Sequence, residues 1–185
     1  MQTRVGGNTS GAPVYMKTWF LRTAALAAFV LACLCAPAIA ATYTARVIAI
    51  SDGDTLTVLD ADRRQHKVRL AGIDAPERHQ AWGERARQFL GERVFQRTVR
   101  IEVSKMDRYG REIGKVLLDG NDINLELLRA GLAWHYQAYE REQPPDERAR
   151  YANTEQQARE RRQGLWSDPA PVAPWDFRQR QRRGT

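Results

Sequence analysis

Apolar and polar positions alternate in five short runs, and that alternation predicts strands. Tyr43 to Ile50 places Ala45, Val47 and Ala49 on one side and Arg46, Ile48 and Ile50 on the other. Thr55 to Leu59 is β-branched, and His66 to Ala71 sets Val68 and Leu70 against Arg69. Thr98 to Val103 alternates with Val99, Ile101 and Val103 inward, and Ile113 to Leu118 supplies a fifth run. Ser51-Asp52-Gly53-Asp54, Asp60 to Arg64 and Asp107 to Arg111 punctuate these runs as turns.

A period near 3.6 replaces the alternation in three other places. From Trp82 to Phe95, Ala86, Phe89, Leu90 and Val94 share one helical face. Ile123 to Ala130 carries Leu125, Leu127 and Leu128, with Gly131 placed to end it. Pro144-Pro145-Asp146 opens a highly polar helix to about Arg162, stopped by Gly164, with Leu165 and Trp166 expected to pin it to the domain. Its arginines are expected to form a solvated face. Five short strands with a helix after the third and helices at the end predict an α+β fold, an OB-fold five-stranded β-barrel with about three α-helices.

The first forty residues read differently. Lys17 and Arg22 flank the start of the apolar run Thr23 to Cys35, and Ala38-Ile39-Ala40 precedes Ala41 in the form of a cleavage site. This predicts a signal peptide over residues 1–40, with Met16 as an alternative start, and a secreted or periplasmic location. The apolar run is short for a membrane span, so no stable membrane association is expected; a lipid on Cys33 is the minor alternative. Both cysteines, Cys33 and Cys35, fall in the removed segment, so the exported domain carries no thiol and no Cys/His set for structural zinc. A monomer is expected. The nuclease-like domain is placed at residues 41–167, and 168–185, rich in proline and arginine, reads as a disordered basic tail.

The 185-residue chain has a formal net charge of +7; removing the three cations of residues 1–40 (Arg4, Lys17, Arg22) leaves +4 on the rest. That permits a polyanionic partner without demanding one.

Three stretches hold the candidate chemistry: Asp52-Gly53-Asp54-Thr55, then Arg69 with Asp74, Ala75, Pro76 and Glu77, then Asp107-Arg108-Tyr109-Gly110-Arg111. Each alone reads as a turn. Together they supply guanidiniums, hard-cation oxygen ligands and a carboxylate base, which is what hydrolysis of a phosphodiester requires. His66, His79 and His135 read as structural or solvated residues, and Asp52 and Asp107 as supporting or turn residues.

The set resembles the staphylococcal nuclease (thermonuclease-like) family, whose pattern runs DGDT, then R-L-x-x-I-D-x-P-E, then D-x-Y-G-R. All occur in order at Asp52–Thr55, Arg69–Glu77 and Asp107–Arg111, and Asn124 to Ala133 resembles the family's helix after the barrel. The likeness covers roughly residues 43–167. It implies a secreted, calcium-dependent phosphodiesterase acting on DNA and RNA with low sequence specificity and leaving 3′-phosphate ends. Asp54 and Asp74 would be calcium carboxylates, with the Ala75 carbonyl as a third ligand. Arg69 and Arg111 would grip the scissile phosphate, and Glu77 would be the general base or orient the water. Tyr109 would sit near the phosphate end of the substrate. Tyr136 is assigned either to base stacking or to core filling. The alternative is a catalytically silent OB-fold nucleic-acid-binding module, against which stands the presence of both Asp, both Arg and the Glu.

Overall fold

A computed structural model describes residues 1–3, 6–7 and 41–184. The stretch carrying the expected export signal, Met16 and Cys33 lies outside the described residues. Five long strands make the barrel: β1 (Thr42–Ile50), β2 (Thr55–Leu59), β3 (Gln65–Leu70), β5 (Thr98–Met106) and β6 (Glu112–Leu118). Short β7 (Asn121–Asp122) adds to β6, while β4 (Ile73–Asp74) and β8 (Trp134–His135) pair in a separate two-stranded sheet. β1 pairs antiparallel with β2 and β5, β2 with β3, and β5 with β6. Parallel pairing of β3 with β6 (Arg69 opposite Ile113, Leu70 opposite Gly114) closes the ring. Closure removes the free edges that a flat sheet of these strands would expose.

Inward positions Val47, Leu56, Val58, Val68, Leu70, Ile101 and Val116 are fully buried. The alternation in β1 breaks midway: Ala45 and Val47 face inward, but Ala49 is exposed and Ile50 packs on the core. A register shift between Val47 and Ala49 causes this, since one extra residue in a strand exchanges its faces.

Helix α1 (Gly83–Val94) buries Ala86, Leu90 and Val94. Helix α2 (Ile123–Arg129) starts where the Asp122 carboxylate accepts the Leu125 N–H at 3.0 Å. It ends in a Schellman turn, with Gly131 at φ +64° and the Leu132 N–H on the Leu127 carbonyl at 2.9 Å. Asn124 ties it to the β3–β6 seam: its Nδ2 donates to the Ala71 carbonyl at 2.9 Å and its Oδ1 accepts from the Val116 N–H at 3.1 Å.

Helix α3 (Pro145–Glu160) lays Glu147, Tyr151, Glu155 and Ala158 inward. Each polar member has a partner: Glu147 pairs with Lys115, the Tyr151 hydroxyl donates to Asp122 at 2.8 Å, and Glu155 accepts the His135 N–H at 3.1 Å. Leu165 and Trp166 do pin this helix, packing with Ala158. Arg159 is exposed, in keeping with the expected solvated face, and also lies 3.8 Å from the Trp166 ring centroid and 4.9 Å from that of Trp134.

The largest departure is at the C-terminus. The stretch read as a disordered tail contains a further helix, α4 (Pro174–Arg183), preceded by buried Ala173. Pro174 occupies the first turn, where a missing N–H costs nothing, and the Phe177 N–H closes the turn on the Ala173 carbonyl at 3.0 Å. Trp175 anchors it against Trp134 and Tyr136, with centroids 5.5 and 5.8 Å away. Among the described residues no helix is long and apolar enough to cross a membrane.

Candidate functional site

Gly53 explains how the first turn reaches the barrel mouth. A Cβ at this position would lie 2.6 Å from the Ala86 Cβ and 2.7 Å from the Ala75 Cβ, so only glycine lets the turn press between α1 and the segment after β4. Pressed there, Asp54 accepts the Ala75 N–H on Oδ2 at 3.0 Å and the Thr55 hydroxyl on Oδ1 at 3.0 Å. Asp74, only 1% exposed, is held by the pairing of β4 with β8 opposite Trp134.

Arg69 enters between the two carboxylates from the end of β3. Its Nη2 donates to Asp74 Oδ1 at 2.8 Å and lies 3.3 Å from Asp54 Oδ2, while Nη1 donates to the Ile73 carbonyl at 3.2 Å. Burial opposes the charge on Arg69, but Asp54 and Asp74 more than offset that cost and raise its pKa. The carboxylates themselves are crowded. Burial, then Asp54, push Asp52 up to about 6. Burial also raises Asp74, with Asp54 adding to the effect and Arg178 opposing it.

The Asp107–Arg111 turn lines the same cavity as these groups. Asp107 Oδ1 accepts the Tyr109 and Arg111 N–H groups at 2.8 and 2.9 Å, and Oδ2 accepts Arg111 Nε at 2.7 Å. Gly110 adopts φ +75°, which completes the turn at no steric cost. Burial disfavours the Asp107 charge, yet its contacts to Arg111 and the Tyr109 N–H hold its pKa below the usual carboxylate range. The residue read as a turn former therefore also orients Arg111. Tyr109 is 68% exposed, with the Arg111 guanidinium 5.5 Å from its ring centroid.

All the sequence-predicted site residues line one open cavity of about 790 Å³: Asp54, Arg69, Asp74, Ala75, Glu77, Tyr109, Arg111 and Tyr136. Asp54, Arg69, Asp74 and Ala75 are in direct contact. Glu77 joins them through Arg178. The Asp107–Arg111 turn lines the same cavity, with Arg111 engaged by Asp107. Tyr136 is half-buried beneath Arg69, whose Cζ is 5.6 Å from its ring centroid; it stands in the cavity wall and outside the barrel core. The histidines read as structural are so placed: His135 is buried, with Nε2 2.9 Å from Gln143 Oε1, and His66 lies between Asp60 and Glu112.

Arg178 is the residue that sequence reasoning missed. Its Nη2 donates to Asp74 Oδ2 at 2.7 Å, and its Nη1 donates to Glu77 Oε1 at 2.7 Å and Asp74 Oδ1 at 3.3 Å. Burial opposes its charge, but the two carboxylates win and raise its pKa. Trp175, one turn earlier, lies on Tyr136 with the rings 22° from parallel. The signal available in the sequence was Ala173-Pro174-Trp175-Asp176-Phe177, a helix-starting proline followed by two aromatics.

The donor set suits a hard divalent cation. Asp54 and Asp74 are buried carboxylates on either side of the Arg69 guanidinium, and carboxylate oxygens are the donors a hard cation prefers. Among the described residues no group of three or more His, Cys, Asp or Glu is placed to hold a metal ion.

Comparison with known proteins agrees with this architecture. The family model described as "Staphylococcal nuclease homologue" matches residues 67–168. "Protein ParB" of Escherichia coli is 42% identical over 141 residues, covering 71% of this chain and 77% of that protein. "Micrococcal nuclease" of Shigella flexneri is 38% identical over 179 residues, covering 92% of this chain and 99% of that protein. An "Uncharacterized endonuclease" of Haemophilus influenzae is 38% identical over 139 residues, covering 75% of each. A family model spanning more than half the chain, and relatives matched over most of their length, place the barrel and its polar mouth in one lineage: the chain belongs to the staphylococcal nuclease homologue family.

Proposed function

We propose that this chain is a nuclease: a calcium-dependent phosphodiesterase that cleaves DNA and RNA with low sequence specificity. The observation that carries the reading is the buried Asp54–Arg69–Asp74 cluster, which opens onto a cavity also lined by Glu77 and Arg111. The names of the relatives from Shigella flexneri and Haemophilus influenzae point the same way.

Asp54, Asp74 and the Ala75 carbonyl would hold calcium, which would supply positive charge beside the phosphoryl oxygens. Arg69 and Arg111 bind two phosphate oxygens through planar, permanently charged forks. Glu77 takes a proton from, or orients, the water that attacks phosphorus. The water oxygen bonds to phosphorus as the P–O5′ bond breaks, the 5′ oxygen takes a proton from solvent while Glu77 returns its own to solvent, and the phosphate stays on the 3′ side. Tyr136 offers a stacking face to a base and Tyr109 lies toward the phosphate end of the substrate. A site that grips backbone and stacks bases without reading their edges favours single-stranded or frayed substrates. Export through residues 1–40 would place the enzyme in the periplasm or outside the cell.

The catalytically silent nucleic-acid-binding module draws on one observation, the pairing of Arg178 with both Asp74 and Glu77. Cleavage of single-stranded DNA separates the two readings. Calcium-dependent cutting that a chelator stops is expected, with Glu77→Gln slower by on the order of 10²–10⁴-fold and Arg111→Ala comparably impaired. Tight binding without cleavage under any divalent ion would establish the silent module instead.

A further inference from the structure

Helix α4 contacts, within one molecule, residues that the proposed metal and substrate would engage; the inference rests on the nuclease reading above. Arg178 spans both oxygens of Asp74 and one of Glu77. Asp74 is a proposed calcium ligand and Glu77 the proposed base, so the guanidinium serves as counter-cation to the groups that calcium and water would engage. Trp175 is in ring contact with Tyr136, so a base stacking on that face must displace the indole.

Within α4 only Pro174 is fully buried, Trp175, Phe177 and Arg178 are partly so, and the helix is ten residues long, a length at which helices depend on tertiary contacts. The segment leading to it, Asp168-Pro169-Ala170-Pro171-Val172, docks chiefly through the Val172 carbonyl, which accepts Gln80 Nε2 at 2.6 Å. Two of the contacts that fasten the helix, Arg178 on Asp74 and Glu77 and Trp175 on Tyr136, are ones the ligands would take away, while Trp175 also touches Trp134.

We propose that α4 is a displaceable internal occupant of the site: Arg178 and Trp175 are released together when calcium and single-stranded nucleic acid bind. Competition of this kind lowers the apparent affinity for calcium by the fraction of molecules with the site open. It also makes calcium and nucleic acid assist each other, because each removes a contact that restrains the helix, and the assistance is reciprocal. The consequence is an enzyme restrained where either ligand is scarce.

Calorimetric titration with calcium alone tests the first half, on the full chain and on Arg178→Gln and Trp175→Ala. Both variants are expected to bind calcium more tightly, Arg178→Gln by about 10-fold if the open fraction is roughly a tenth. Near-ultraviolet circular dichroism identifies a variant that has lost its fold, and the other variant then carries the comparison. Hydrogen exchange on the unmutated protein tests the second half. Backbone amides of residues 177–183 are expected to lose protection on adding calcium with oligothymidylate. Unchanged or weaker calcium binding in both variants overturns the proposal. So does an α4 that stays protected under both ligands, even if Arg178→Gln tightens binding, because removing a nearby cation favours calcium without any displacement. Failure of the nuclease reading looks different: no cleavage by any form at saturating calcium, whatever the titrations give.

Discussion

Arg69 and Arg178 reach the same carboxylate from regions built on different physics. Arg69 comes from β3, a strand paired on both sides in a closed barrel, and its side chain is 13% exposed. Arg178 comes from a short terminal helix with few buried groups, and its side chain is 31% exposed. Both donate to Asp74 at 2.7–2.8 Å, so distance alone ranks them equal. Their supports do not. The barrel fixes Arg69 before any ligand arrives, as a preorganised phosphate-binding group must be. The helix holds Arg178 only as long as nothing better occupies the site. Equal contacts can therefore mean structure in one case and control in the other.

Removing Arg69 should break this comparison most severely. Arg69→Met leaves Asp54 and Asp74 buried with one of their two cations gone, and loss of one partner from a buried ion pair costs about 3–5 kcal/mol. Urea denaturation in the absence of calcium measures it. Calcium should restore part of the loss, because a divalent cation can neutralise the same carboxylates. A stability unchanged by the substitution would mean that Asp54 and Asp74 do not depend on Arg69.

Arg178→Gln should cost much less, roughly 1 kcal/mol or below without calcium, as for a partly exposed pair. With calcium present the difference should vanish or reverse. A loss as large as that of Arg69→Met would make Arg178 part of the framework and erase the distinction between the two arginines.

The same contrast explains what could be read from the chain. The barrel was legible because its information is local. Val68-Arg69-Leu70 states an alternation, and Asp74, Ala75 and Glu77 follow within a few residues, so a strand end and its chemistry appear in one short stretch. The parallel closure of β3 on β6, which brings the end of the Asp107–Arg111 turn to that stretch, leaves no mark in the periodicity of either strand. The bulge in β1 was not visible, since Val47, Ile48, Ala49 and Ile50 are all apolar and leave the register open. Helix α3 was found by its length and proline start, but its inward stripe reads Glu147, Tyr151, Glu155 and Ala158, whose burial makes sense only with Lys115, Asp122 and His135 in place. Helix α4 is the extreme case. Its arginines and the prolines before it resemble a solvated tail, and the partners that fold it, Asp74 and Glu77, lie about a hundred positions earlier.

Strand β3 carries a third charged contact that extends the comparison toward solvent and should show the smallest effect. His66 Nε2 lies 2.9 Å from Asp60 Oδ2 and its Nδ1 2.8 Å from Glu112 Oε1, on the outer face of the barrel, where Tyr43 also donates its hydroxyl to Glu112. Asp60 first raises the His66 pKa above its ordinary value, with Glu112 adding to it and partial burial opposing. The sign follows from proton linkage: a raised folded-state pKa stabilises the fold fully below the unfolded value, about 6.5, and that contribution is lost as pH rises through the folded value. His66→Gln should therefore narrow the stability gap between acid and neutral conditions, measured as denaturation midpoints across pH 5 to 9, with the gap between the two proteins largest at the acid end. Proton NMR titration of the imidazole should place its midpoint above the ordinary histidine value. A midpoint at or below that value would show that Asp60 and Glu112 do not hold the proton, and that a half-exposed pair on this barrel carries geometry without energy.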